Sequence, residues 1–411
     1  MSETKSGGLM GWIDARFPAT KMWNEHIGEY YAPKNFNFWY YFGSLALLVL
    51  VIQVLSGIWL TMNYVPSGAE AFTSVEYIMR DVEWGWLIRY IHTTGASAFF
   101  VVVYLHMFRA LMYGSYQKPR ELLWIFGCLI LVALMAEAFM GYMLPWGQMS
   151  YWGAQVIINL FAAVPVIGPD LAMWIRGDFI ISEITLNRFF ALHVVAVPLA
   201  IIFLVVAHIL ALHEVGSNNP DGVEIKKDKG EDGNPKDGIP FHPYYTVKDL
   251  FGVAVFLIFF SIVVFFMPDF FGLFIEPPNF EPANPLVTPD HIAPVWYFAP
   301  YYAILRAIPD TFGGVVAMGA AIVILFFLPW LDRGRVRSIR YRGLSFKIAL
   351  GLFAIGFVLL TYLGTQPATG LNTLLSRVGT VIYFGYFAFL FIYTAFGLER
   401  TKPVPERVTM K

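Results

Sequence analysis

The stretches HTTGASAFFVVVYLH (residues 92–106) and HVVAVPLAIIFLVVAH (residues 193–208) decide how this chain folds. Each begins and ends on histidine and has no charged residue between. Both lie in apolar runs long enough to cross a bilayer as helix, where polar groups are costly and usually functional. A lone intramembrane histidine reads equally well as structural. Two helices, each with two histidines at nearly the same interval, do not. Fourteen residues make roughly four turns, so His92 and His106 share one helix face about 21 Å apart along the axis. An even number of crossings separates the two helices, so they run parallel, and His92 falls level with His193 and His106 with His208. Each level then offers two facing imidazoles, the set that suits six-coordinate iron in an electron-transfer haem. Zinc would want four clustered ligands, and no Cys or carboxylate supplies the rest. The second pair is spaced 15 apart, which turns one ligand by about 100°. Pro198 lies between them and is expected to correct this by kinking or locally unwinding the helix.

The same ruler recurs in glycine. Gly43 and Gly57 are 14 apart, and so are Gly127 and Gly141. Either pair alone could be close helix packing. At the two histidine depths they read as notches that admit flat porphyrins. Arg89 and Arg109, each three residues from a histidine, can reach propionates near the membrane faces, or simply snorkel to the interface.

Outward from these helices, eight segments read as spans: 38–64, 86–113, 122–144, 186–212, 247–268, 311–331, 345–364 and 372–397. The fold class is an all-α polytopic membrane protein whose first four spans form a four-helix bundle. Composition agrees, with 57% hydrophobic and only 14% charged residues, against about 25% charged in soluble domains. A formal net charge of −1 argues against nucleic acid. The single cysteine, Cys128, excludes disulfides within the chain. Lysine and arginine crowd the loops after the second, fourth and sixth spans, while the alternate loops are acidic. The positive-inside rule therefore expects both termini in the cytoplasm. The domains are 1–37, a cytoplasmic segment; 38–217, the haem-binding bundle; 218–246, a cytoplasmic linker whose stretch 218–240 reads as solvated and mobile; 247–397, four further spans with an outer loop; and 398–411, a cytoplasmic tail. Two outer loops, 145–185 and 269–310, are longer than a connection needs, and long ordered loops tend to be functional.

With its paired histidines and the motifs Gly141–Ser150 (GYMLPWGQMS), His213–Pro220 (HEVGSNNP), Pro243–Thr246 (PYYT) and Ala283–Leu286 (ANPL), the chain resembles, over essentially its whole length, cytochrome b of the ubiquinol–cytochrome c oxidoreductase complexes. Eight spans in one chain look like the respiratory form; the photosynthetic relatives are split in two, and also show the 15-residue interval. The resemblance implies a Q-cycle that oxidises ubiquinol at the outer face, reduces ubiquinone at the inner face and contributes to the proton gradient. It implies two haem b groups, the low-potential outer one on His92 and His193 and the high-potential inner one on His106 and His208. It also implies a Rieske iron–sulfur protein and a membrane-anchored c-type cytochrome as partners, in a homodimeric complex. An inner quinone site is expected at His213, Lys248, Asp249 and Ser217. An outer quinol site is expected at Tyr142, Gly153 and Pro294-Val295-Trp296-Tyr297.

Val295 departs from the family, where a glutamate there is usually assigned to proton removal. Quinol oxidation needs a base within reach of the quinol oxygen. Glu281, upstream in the same loop, is the first candidate, and Glu137, one turn before Gly141, the second. His291 ranks lower, because the family commonly has it alongside the glutamate. Two other classes compete. A histidine-relay transporter would leave the doubled ruler unexplained and be colourless when purified. A di-haem anchor subunit would need neither the long outer loops nor eight spans.

Overall fold

A computed structural model describes residues 8–410. Eight helices in it are long and apolar enough to cross a membrane: Phe38–Thr61, Gly85–Tyr113, Glu121–Met143, Glu183–Val215, Phe241–Phe266, Thr311–Leu331, Leu344–Thr365 and Gly370–Ala395. These spans coincide with the eight expected segments, with ends shifted by the local chemistry. The fourth starts early because the Thr185 hydroxyl accepts from the Ser182 N–H in a capping box. The fifth begins at a π-turn, Phe241–Tyr245, ahead of its regular helix. The second stops where Gly114 takes a left-handed conformation, φ 61°, and its N–H closes on the Ala110 carbonyl. Large apolar side chains remain outward on the spans, Phe203, Phe259 and Phe266 among them, as expected where lipid replaces water as solvent.

The first span packs along the second and the third along the fourth, giving the expected bundle. The last three spans gather around a short helix, Ala299–Ala307, in the second long loop. Gly364 makes this possible, since a Cβ there would lie 2.7 Å from the Ala299 Cα. Apolar surface drives no association between helices in lipid, so such close approaches and interhelical hydrogen bonds carry the packing. Trp124 Nε1 donates to the Leu325 carbonyl at 2.7 Å, joining the third span to the sixth. Tyr383 hydroxyl donates to the Ala321 carbonyl at 2.7 Å, joining the eighth to the sixth.

Segment 218–246 exposes residues 226–229 and 231–233 but is tied into the fold at both ends. Strand Gly238–Pro240 pairs antiparallel with Tyr31–Pro33. Asn219 and Asp221 are fully buried, and Asp237 nearly so. Three of its carboxylates, Asp221, Glu224 and Asp237, are met by distant residues. Glu224 receives a bidentate pair from buried Arg120 and a further contact from Arg337. Asp221 takes Asn35, Arg340 and the Thr409 N–H. The N-terminal segment, this loop and the chain's last residues thus knit one end of the bundle, called here the basic end. The opposite end carries the loops 145–185 and 269–310, which fold into helices Gln148–Ala162, Gly168–Arg176 and Ala299–Ala307.

Candidate functional site

Two pairs of imidazoles face one another inside the bundle. The ring centres of His92 and His193 lie 6.2 Å apart, and those of His106 and His208 6.4 Å apart. Two imidazole nitrogens each about 2 Å from one metal, with ring centres roughly 1.2 Å behind, would set those ring centres up to about 6.3 Å apart. Both gaps match. No group of three or more His, Cys, Asp or Glu able to hold an ion exists among the described residues.

The glycines stand against these imidazoles themselves. A Cβ on Gly57 would lie 3.2 Å from His92, and one on Gly43 3.2 Å from His106. The same holds for Gly127, 3.4 Å from His208, and for Gly141, 2.9 Å from His193 Nδ1. Each level therefore has two histidines and two glycines, every glycine backing one imidazole from the neighbouring span. The 15-residue spacing is absorbed by a π-turn at Leu192–Ala196, beginning beside His193. Pro198 follows it at the start of the regular helix. Lacking an N–H, proline cannot bond the Val194 carbonyl, and the wide turn takes up the extra residue. The π-turn is the local unwinding expected there.

Hydrogen bonds orient the rings at the acidic end. His92 Nδ1 meets the Ser56 hydroxyl at 2.9 Å, which itself donates to the Ile52 carbonyl. His193 Nδ1 meets both the Glu137 carbonyl and its carboxylate at 3.0 Å. A donor Nδ1 leaves Nε2 as the free lone pair, the tautomer a ligating histidine needs. At the other level Arg109 lies 3.3 Å from His106 Nδ1, and its Nε has no partner. The Arg89 side chain has no hydrogen bond or ion pair among the described residues.

The inner-site candidates are divided. Lys248 and Asp249 border a small cavity with Phe36, Tyr40, Tyr41 and Tyr245. Ser217 borders another, with Arg120 and Lys226. Between them, His213 stacks on His26, Nδ1 to Nδ1 at 3.0 Å, with ring centres 5.0 Å apart. Tyr30 covers His213 and reaches Ser217 at 3.1 Å. The recorded partners of His213 are thus His26, Tyr30 and, at its carbonyl, Lys226, not Asp249. Sequence spacing held no sign of His26 or Tyr30, which precede every span.

At the acidic end the two long loops are zipped together. Gln148 N–H donates to the Glu281 carbonyl at 3.0 Å and Ala283 N–H to the Trp146 carbonyl at 2.9 Å. Asn279 Oδ1 accepts from the Ser150 N–H at 2.8 Å. Tyr297 stacks on Phe100 with ring centres 4.0 Å apart, and Trp296 donates to Ser97. Gly153 is buried beside the Tyr142 ring, while Pro294 is partly buried and Val295 lies in the core. Glu281 contributes its backbone to the zipper and leaves its side chain exposed, so the first-ranked carboxylate does not point at Tyr142. Glu276 does. Its Oε2 accepts from the Tyr142 hydroxyl at 2.8 Å and from Asn279 Nδ2 at 3.1 Å. Burial pushes its carboxyl up to about 7, although hydrogen bonds from Tyr142 and Asn279 favour the ionised form. Burial likewise raises the Tyr297 phenol well above its usual value.

A family model described as Cytochrome b/b6/petB matches residues 27–216, and one described as Cytochrome b(C-terminal)/b6/petD matches residues 282–384. The chain is 62% identical to cytochrome b of Allochromatium vinosum, with 100% of both chains covered. It is 50% identical to cytochrome b of Rhodospirillum rubrum, covering 97% of this chain and 95% of the other. It is 46% identical to the Bradyrhizobium diazoefficiens protein named cytochrome b/c1, covering 98% of this chain and 57% of that one. Among solved structures, a chain of a hyperthermophilic respiratory Complex III superposes with TM-score 0.88 and 40% identity, over 94% of this chain and 99% of the other.

Proposed function

This chain belongs to the cytochrome b family, and on that footing we propose that it is the catalytic membrane subunit of a quinol–cytochrome c oxidoreductase in a bacterial respiratory chain. It works by a Q-cycle, oxidising ubiquinol at the acidic, outer end and reducing ubiquinone at the basic, cytoplasmic end, where both termini lie. The observation that carries this reading is the pair of imidazole gaps, 6.2 and 6.4 Å, each backed by glycine on both sides.

His92 and His193 hold the outer haem b, and His106 and His208 the inner one. Bound haem supplies reversible one-electron chemistry. The protein sets everything else. Ser56 and Glu137 hold the outer imidazoles in the tautomer that offers Nε2. A histidine that gave Nε2 to iron would carry its proton on Nδ1, and Arg109, whose Nε has no hydrogen-bond partner, would hold a propionate. Arg89 has the same role at the outer level. Tyr142, Gly153, Pro294, Trp296 and Tyr297 line the quinol site between the zipped loops. His213, Ser217, Lys248 and Asp249 serve the inner site, with His26 and Tyr30 covering it.

The electron-accepting partners are a Rieske iron–sulfur protein and a membrane-anchored c-type cytochrome, within a homodimer. The b/c1 relative, of which this chain covers only 57%, supports the second of these. A reduced-minus-oxidised spectrum and haem analysis of the purified protein test the assignment. Two b-type haems per chain are expected, with His92→Ala or His193→Ala losing one and His106→Ala or His208→Ala the other. Two haems surviving in all four variants would overturn it, and a colourless protein would return the reading to a transporter.

A further inference from the structure

Quinol oxidation at the outer site releases protons, yet Val295 is a buried hydrocarbon, 4% exposed, and can accept none. We propose that Glu276, bonded to Tyr142, is the group that takes a proton from the quinol hydroxyl in this chain. The proposal rests on the outer-site reading above and adds the residue that makes it work without a glutamate at position 295.

Four observations support it. The carboxylate is held against Tyr142, which the resemblance places in the quinol site, at 2.8 Å. Asn279 closes a three-membered ring by donating to both the Tyr142 hydroxyl, at 2.9 Å, and Glu276 Oε2. That ring is fixed to the other loop, since Asn279 Oδ1 accepts the Ser150 N–H, and a Cβ on Gly147 would lie 2.7 Å from the same oxygen. Finally, the carboxyl is poised near 7 by burial, where a base both holds its charge and can release what it takes up. The titratable groups facing it are Tyr142 from the third span and Tyr297 from the segment after Pro294. Glu276 has no ion-pair partner among the described residues, so no cation locks it in the charged form.

The chemistry balances as acid–base transfer. One quinol O–H bond breaks, one O–H bond forms on Glu276, and that proton then leaves to water at the acidic end. The quinol's electrons go to the one-electron acceptors already named, a Rieske iron–sulfur protein and haem. A second proton leaves with the second electron by a route this site does not specify.

The test uses membranes carrying the intact complex, a short-chain ubiquinol and an inner-site inhibitor. Haem content is measured in every variant. Glu276→Gln is expected to slow quinol-driven haem reduction by about 10-fold or more, the low end of what a general base contributes being roughly 100-fold. It should also flatten the rise in rate through about pH 7. Infrared difference spectra should lose a carboxyl band that titrates in that range, a readout independent of turnover. Glu276→Asp should retain part of the rate, and adding Val295→Glu to Glu276→Gln should restore much of it. A full rate with an unmoved pH profile in Glu276→Gln, both haems present, overturns the proposal. So does a loss found in Glu281→Gln instead. Wild-type complex that shows no quinol-driven reduction at all, while the Glu276 band still titrates, sinks the outer-site reading and the proposal with it.

Discussion

Glu137 grips His193 twice, its backbone carbonyl and its carboxylate each lying 3.0 Å from Nδ1. The second-ranked candidate for an outer-site base is therefore committed to a proposed ligand. A carboxylate behind a ligating imidazole raises the basicity of the ring and favours the higher charge on the metal. Glu137→Gln should accordingly raise the potential of the outer haem, by about 60 mV for each tenfold loss in preference for oxidised iron. Redox titration of the purified complex reads this directly. An outer potential unchanged in the variant would mean that the backbone carbonyl alone orients His193.

The four notch glycines are not equally demanding. An added methyl at Gly141 would lie 2.9 Å from both His193 Nδ1 and Nε2, whereas one at Gly127 would stand 3.4 Å from His208, an ordinary contact. Overpacking a fixed interior typically costs about 1–3 kcal/mol, and here the displaced group is a proposed ligand. Gly141→Ala should lose or distort the outer haem, while Gly127→Ala keeps the inner one. Haem content and electron paramagnetic resonance of the two variants provide the comparison. Equal effects at both positions would deny that ligand crowding sets the requirement.

Asp249 borders the cavity at the basic end with Lys248, whose ammonium is held by the Phe36 carbonyl at 2.9 Å. A carboxyl group there can deliver a proton to a reduced quinone. Asp249→Asn should slow reoxidation of the inner haem by quinone roughly tenfold or more, since proton transfer by a placed side chain commonly contributes 10²–10⁴-fold. Reduction from the outer site should be spared. Stopped-flow kinetics with site-selective inhibitors separate the two steps, and unchanged reoxidation from about pH 6 to pH 9 counts against the role.

What the sequence made legible follows helical periodicity. His92 and His106 share a face because 14 residues nearly close four turns, and Gly43 and Gly57 obey the same geometry. The eight spans were readable for the same reason. The 15-residue interval was readable only as an anomaly, because a π-turn leaves no signature beyond the proline that follows it. Loop geometry has no period at all. Glu276 and Glu281 are five residues apart in one loop, and only the zipper at Gln148 decides which carboxylate meets Tyr142. His26 reaches His213 across 187 positions. Glu224 and Asp237 looked solvated because their partners Arg120, Arg337 and Arg407 lie far along the chain.

That pairing gives the tail a pH response with a definite sign. Asp237 accepts from Arg407 Nε at 2.7 Å, from Lys34 at 2.9 Å and from the Val408 N–H at 3.2 Å. Burial alone would raise its carboxyl, but Arg407, Lys34 and Val408 together draw it down to about 2. A carboxyl held below its unfolded value stabilises the fold above that unfolded value and loses the contribution as pH falls through the folded one. From 3.8 to about 2 is worth at most about 2 kcal/mol at neutral pH. The clamp should therefore be indifferent to pH between about 7 and 5, beginning to weaken only below about 4. Asp237→Asn should remove it at neutral pH, speeding amide exchange at Val408 and Thr409 up to about 30-fold while leaving exchange in the spans unchanged. Hydrogen exchange of the detergent-solubilised complex measures both. Tail protection that fell away near pH 6 in the wild type would show that a histidine, not Asp237, governs the clamp.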